Sequence, residues 1–273
     1  MNVRLRSCLF AALAALIFFL TPARAETVVD LELVLAVDVS LSMDMDEQRL
    51  QRDGYVAAFR DAELWNAIRA GANGRIAVTY IEWAGQLTQQ TILPWTLIDG
   101  PQAAQAFADQ LEAAPISRAR MTSISGALLY SARQIEANPY KGVRRVVDVS
   151  GDGPNNSGMP AETARDELVA KGIVINGLPI LLKRDQPSGF FDINNLDQYY
   201  ASCVIGGTGA FMLPVRDRGE FRAATRRKLI LEISGLVPEQ PARLIPAQVT
   251  SDSTDCMIGE RLWRRYMDGG FRE

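Results

Sequence analysis

Histidine is absent from all 273 residues. Without imidazole, Ser/His/Asp and Cys/His triads, HExxH metalloprotease sites and every imidazole zinc site are excluded. Cysteine is scarce, with only Cys8, Cys203 and Cys256. The uncharged apolar run from Leu9 to Leu20 is about 12 residues, against the roughly 20 that a spanning helix needs. Excess positive charge is also missing: 29 Lys and Arg stand against 32 Asp and Glu, a net charge of −3, which disfavours sequence-independent binding to nucleic acid. What is present is ordinary globular composition, 48% hydrophobic and 22% charged. That is enough chain for one sizeable core and excludes disordered and collagen-like classes.

The first 25 residues have the layout of an export signal. Arg4 and Arg6 precede the apolar run, and Ala23-Arg24-Ala25 is an A-x-A cleavage site. Cleavage after Ala25 is expected, leaving a periplasmic or secreted protein that starts at Glu26 and has no stable membrane insertion. Cys8 does not suit lipid attachment, because the apolar run follows it. Removal of Arg4, Arg6 and Arg24 leaves 26 basic against 32 acidic residues and a net charge of −6. Cys203 and Cys256 remain as an even pair in an oxidising compartment, and a disulfide tying the tail to the body is expected, the alternative being two buried thiols.

Residues 28–39 are apolar on both faces, as suits a central parallel strand ending at Asp38. An amphipathic stretch from Asp44 to Ala70 follows, opened by Asp44 and Glu47 at capping-box spacing. Residues 75–84 and 90–98 read as a strand hairpin, 101–113 as a helix opened by Pro101, and 123–136 as a helix with Ile124, Leu128 and Ile135 on one face. Strands are expected at 144–150, 173–181 and 210–215, with helices at 160–171 and 220–234. This alternation predicts an α/β fold: a doubly wound, mostly parallel central sheet with helices on both faces and one antiparallel edge strand. The domain is expected over 26–235, and the extension at 236–273 is expected to pack on it. Asp148 reads as structural, Trp83 and Trp95 as core, Gly206-Gly207-Thr208-Gly209 as a tight turn, and the pairs Arg144-Arg145 and Arg226-Arg227 as solvated faces.

In an open α/β sheet, ligands bind where the carboxyl ends of the strands meet the following loops. The first strand ends in Asp38-Val39-Ser40-Leu41-Ser42, the loop before the 123–136 helix holds Met121-Thr122-Ser123, and the 144–150 strand runs into Ser150-Gly151-Asp152-Gly153. Alternate residues of an extended segment point the same way, so Asp38, Ser40 and Ser42 can converge. Two carboxylates together repel unless a cation lies between them. An all-oxygen set selects a hard divalent cation, Mg2+ or alternatively Mn2+ or Ca2+. Taken singly, each residue also fits a helix cap or a turn.

The pattern DVSLS, then RMTSISGAL, then SGDG resembles the metal-ion-dependent adhesion site of the von Willebrand factor type A family, over about residues 28–235, and more closely an uncharacterised exported bacterial group of that fold. Met121 stands where that pattern commonly has glycine. The resemblance implies that Ser40 and Ser42 bind the metal directly, Thr122 directly or through water, and Asp38 and Asp152 largely through water. It also implies a non-enzymatic binding module, in which an acidic side chain of a protein partner completes the coordination. Two alternatives also fit the sequence. One is a metal-dependent phosphohydrolase with Asp38 as nucleophile, although Ser40 occupies the place of the second acid such sites require. The other is the same fold without a metal, with its contact surface elsewhere, for instance on the tail.

Overall fold

A computed structural model of the chain describes residues 26–182, 192–238 and 254–269. The expected export signal, Cys8 and prolines 241 and 246 lie outside the described residues, as does part of the 183–207 excursion.

Strand β1 (Thr27–Asp38) is the middle of a five-stranded sheet. Helices α1 (Met45–Phe59) and α2 (Ala62–Arg69) lead to β2 (Ile76–Trp83), which turns into β3 (Gln89–Ile98). Next come α3 (Pro101–Ala113), α4 (Ile124–Glu136), β4 (Tyr140–Gly151), α5 (Ala161–Ala170) and β5 (Val174–Pro179). A short helix α6 (Leu196–Tyr199) runs into a π-helical turn (Tyr200–Val204), and a 3-10 turn (Arg218–Glu220) leads into α7 (Phe221–Ser234). Helix α8 (Ile258–Gly269) lies in the C-terminal extension. The sheet order is β3-β2-β1-β4-β5, parallel throughout except for the β2–β3 pair at the edge, as expected.

Both faces of β1 are covered because both sets of its alternating side chains are apolar. Leu31, Leu33, Leu35 and Val37 pack with Tyr55 and Phe59 of α1, Leu64 and Ile68 of α2, Phe107 of α3 and Leu229 of α7. Val34 and Ala36 point the other way, toward Leu128 of α4 and Leu168 of α5. Fully burying one such leucine stabilises the fold by about 1.5–3 kcal/mol. Trp83 is fully buried, and the partly buried Trp95 donates its indole N–H to the Gln134 carbonyl at 3.0 Å.

Three expectations are corrected. The 44–70 stretch is two helices, because Asp61 accepts the Glu63 N–H at 2.8 Å and so caps a second helix after α1 has ended. Residues 210–215 do not form a strand. They are bridged to the sheet at Gly177–Met212 and Ile180–Val215 without forming a continuous ladder, and Pro214 has no N–H to extend one. Arg144 is only partly solvated and donates to the carbonyls of Glu232 and Ile233, both at 2.6 Å, closing the end of α7, where Gly235 turns left-handed at φ +70°.

Candidate functional site

Chain order sets the site. From β1 the chain moves outward through β2 to β3, then returns to place β4 on the other side of β1. The crevice between the ends of β1 and β4 is therefore the switch point where open α/β sheets bind ligands. Asp38 ends β1, and Asp152 follows the last residue of β4.

Four of the five predicted residues form one hydrogen-bonded chain across that crevice. Asp38 accepts the Ser40 N–H at 2.7 Å, the Ser40 and Ser42 hydroxyls are 2.7 Å apart, and Ser42 donates to Asp152 Oδ1 at 2.6 Å. Thr122 stands on the opposite loop, and Ser40, Ser42 and Thr122 line one cleft of about 500 Å3. That loop is fixed by reciprocal bonds to Asn156: Thr122 N–H donates to Asn156 Oδ1, and Asn156 N–H donates to the Thr122 carbonyl, both at 2.8 Å. Ser123 caps α4 by accepting the Gly126 N–H at 3.1 Å. Met121 has φ +72°, the one left-handed non-glycine residue among those described, at the position where the sequence pattern commonly carries glycine.

The electrostatics are strained at one atom. Asp38 is fully buried, and its Oδ2 has no hydrogen-bond partner among the described residues. Burial, followed by repulsion from Asp152, pushes its carboxyl well above the ordinary range, against the opposing effect of the Ser40 and Asp152 amides. The buried Tyr200 hydroxyl, also unpartnered among the described residues, is pushed up by burial and then by Asp38. Both groups border the space above Gly151, where an added Cβ would stand 2.8 Å from Asp38 Oδ2 and 3.1 Å from the Tyr200 oxygen. A buried, under-coordinated carboxylate facing a second one, with two hydroxyls between, fits a hard cation in both charge and donor type. Among the described residues the one cluster with soft donors, Glu162 near Cys203 and Cys256, is taken up by the expected disulfide between the two sulfurs.

Asp148 proves structural in its contacts. It is fully buried, with the Lys228 ammonium 2.5 Å away, and Lys228 also lies 2.5 Å from Glu232. Glu232 further accepts from Asn176 at 2.9 Å, so this network ties α7 to β4 and β5 behind the crevice. Burial, then the nearby Asp148, pushes Glu232 up to about 7. Asp44 and Glu47 form the expected capping box, at 2.7 and 2.8 Å.

Residues 28–237 match the family described as "Protein of unknown function (DUF1194)". The chain belongs to that family. No curated protein matches it in sequence. Among solved structures, its fold is similar to that of proximal thread matrix protein 1 from the mussel byssus, at 14% identity and TM-score 0.55, covering 77% of this chain and 49% of the other. It is also similar to a von Willebrand factor type A protein from Catenulispora acidiphila, at 14% identity and TM-score 0.52, covering 75% and 43%. A further form of the byssus protein, described as having a zinc-occupied MIDAS motif, matches at 12% identity and TM-score 0.53, covering 77% and 49%. The chain thus spans less than half the length of those solved chains. The family's fold is that of von Willebrand factor type A, as the sequence motifs implied.

Sequence reasoning missed Asn156 and Tyr200. Asn156 carried a signal, lying in the turn-rich stretch after Asp152. Tyr200 carried none, since only the return of the 192–204 segment beneath the crevice brings it to Asp38.

Proposed function

We propose that Asp38, Ser40, Ser42, Thr122 and Asp152 hold a divalent cation, Mg2+ or alternatively Mn2+ or Ca2+, and that the protein uses this site to capture an acidic side chain of a partner protein. Bound there, the ion would supply an electrophilic position that accepts a carboxylate oxygen. The observation that carries the reading is the buried Asp38 Oδ2, unpartnered among the described residues, beside Asp152 at the sheet's switch point. The zinc-occupied relative adds support from a protein of the same fold.

We take the module to be non-catalytic. Phosphohydrolase chemistry on Asp38 would require a second acid and an activating lysine, whereas Ser40 fills the acid's place and the buried Lys228 is engaged by Asp148 and Glu232. We also take the protein to be exported, with a leader over 1–25, the binding domain over 26–235 and an extension over 236–273. The signal-like leader and the Cys203–Cys256 disulfide support this.

Thermal melting tests the metal. At 100 times its dissociation constant an ion stabilises the folded state by about 2.7 kcal/mol, a rise of several degrees that chelator reverses. That rise is expected in the wild type and is expected to vanish in a Ser40→Ala, Ser42→Ala double variant. Equal melting of both proteins with and without Mg2+, Mn2+ or Ca2+ would refute the reading.

A further inference from the structure

Tyr200 reaches the site through a gap that two glycines leave. It opens the π-helical turn, where its carbonyl accepts the Ile205 N–H at 3.0 Å, and single turns of this kind recur at functional sites. A Cβ on Gly177 of β5 would stand 2.7 Å from Tyr200 Cδ1, and one on Gly151 of β4 would stand 3.1 Å from its hydroxyl oxygen. The ring therefore crosses the ends of β5 and β4 and carries its hydroxyl toward the end of β1, where Asp38 lies.

The turn is anchored on both sides. Cys203 within it is bonded to Cys256, and the hydroxyl of the preceding Tyr199 accepts the Asn155 N–H at 3.2 Å. Asn155 lies on the β4–α5 loop that also carries Asp152, so one segment braces that loop through Tyr199 and approaches Asp38 through Tyr200. Within this frame the Tyr200 hydroxyl and Asp38 Oδ2 are both fully buried, border the same glycine, and have no hydrogen-bond partner among the described residues. Leaving a buried donor and a buried acceptor unpaired side by side is costly. A phenylalanine would fill the same slot without that cost, so packing does not explain the hydroxyl.

We propose that Tyr200 is a positioning residue of the metal site: when the cation is held, its hydroxyl donates to Asp38 Oδ2 and fixes that carboxylate in place for the ion. The proposal rests on the reading of the site given above. Pairing with the phenol and serving the cation are compatible, because an ionised carboxylate offers about four lone-pair sites and the Ser40 N–H uses one. A hydrogen bond from a hydroxyl to a charged carboxylate is shorter and stronger than one between neutral groups, and stronger again away from water.

The test is titration of the full mature protein with Mg2+ by calorimetry. Tyr200→Phe removes one oxygen atom, and its Mg2+ dissociation constant is expected to rise about tenfold or more, the loss of one hydrogen bond to a charged group. Its melting temperature in chelator is expected not to fall, because the hydroxyl has no bond to lose in the cation-free fold. Tyr55→Phe serves as the comparison: it also deletes a buried hydroxyl with no partner among the described residues, but in the other core layer, and is expected to leave Mg2+ affinity unchanged. Wild-type affinity in Tyr200→Phe, or an equal loss in Tyr55→Phe, would overturn the role of Tyr200 while the metal reading stands. A loss of affinity accompanied by a lower melting temperature in chelator would mark a packing role and overturn it too. Crystals of the wild type holding Mn2+ supply a measurement that needs no variant: the Tyr200 oxygen is expected about 2.5–2.7 Å from Asp38 Oδ2, and a separation beyond about 3.5 Å with the ion bound would overturn the proposal. Absence of Mg2+ binding by the wild type would instead overturn the metal site itself, and this proposal with it.

Discussion

At the scale of single residues, two positions are held against their own preferences. Asp38 and Asp152 repel across the serine pair, so neutralising one relieves the cation-free protein. Asp152→Asn keeps an oxygen for the Ser42 hydroxyl and removes the charge. In chelator it is expected to melt roughly 2–4 °C higher than the wild type, a gain of about 1 kcal/mol, and to show no Mg2+-dependent rise. A lower melting point in chelator would contradict the account of repulsion. Met121 is the second position, left-handed at φ +72°. A left-handed L-residue costs roughly 1–2 kcal/mol, partly offset for glycine by the extra freedom of its unfolded chain. Met121→Gly is therefore expected to stabilise by up to about 1 kcal/mol in urea denaturation and Met121→Val to destabilise by at least as much; equal stabilities would show that the conformation carries no strain. The gathering of Asp38, Ser40, Ser42 and Asp152 was legible in the sequence because each sits at the end of an apolar strand, and strand ends share an edge. The Asn156 and Tyr200 contacts were not legible, since they depend on how irregular segments return to that edge.

At the scale of elements, helix α7 is held by charge as well as by Leu229 and Ile233. Glu232 meets Lys228 on its own helix, Asp148 on β4 and Asn176 on β5, and Tyr55 of α1 lies near the same acids. Burial and then Asp148 raise its folded pKa to about 7, above the ordinary value of 4.5, so the folded protein holds a proton that the unfolded chain releases. Stability from this group is present below about pH 4.5 and is lost as pH rises toward 7, with a slope of at most about 1.4 kcal/mol per pH unit. Asp38 and Asp148 shift in the same direction. Urea midpoints for wild type and Glu232→Gln at pH 5 and pH 7 in chelator are expected to show a smaller fall for the variant; identical falls would contradict this assignment. Element order was readable because apolar runs, Pro101 and the Asp44–Glu47 pair are strong local signals. The break at Asp61 was masked by a periodicity that continues across it. The run at 210–215 looked like a strand because apolar composition does not reveal that Pro214 limits its ladder.

At the scale of the whole molecule, the segment after α7 is tied to the α/β body by the Cys203–Cys256 disulfide and by the Asn155–Glu260 hydrogen bond on the loop that carries Asp152. The Cys203–Cys256 bond closes a loop of 53 residues, worth about 4 kcal/mol if its effect is the lost entropy of the unfolded chain. A helix of 12 residues is marginal alone, so breaking the bond is expected to release α8. Hydrogen exchange in residues 258–269 is expected to accelerate on reduction while β1 stays protected; unchanged protection would mean that Asn155 and Glu260 suffice to hold it. The even cysteine pair made the bond legible. Where the tail lands was not legible, because no local pattern specifies docking on a distant loop. The most direct test of the central claim is an anomalous difference map from crystals of the mature protein grown with Mn2+. The account predicts a peak about 2.0–2.6 Å from the Ser40 and Ser42 hydroxyl oxygens, within the crevice between β1 and β4. A peak only elsewhere, or none at saturating Mn2+, would contradict it.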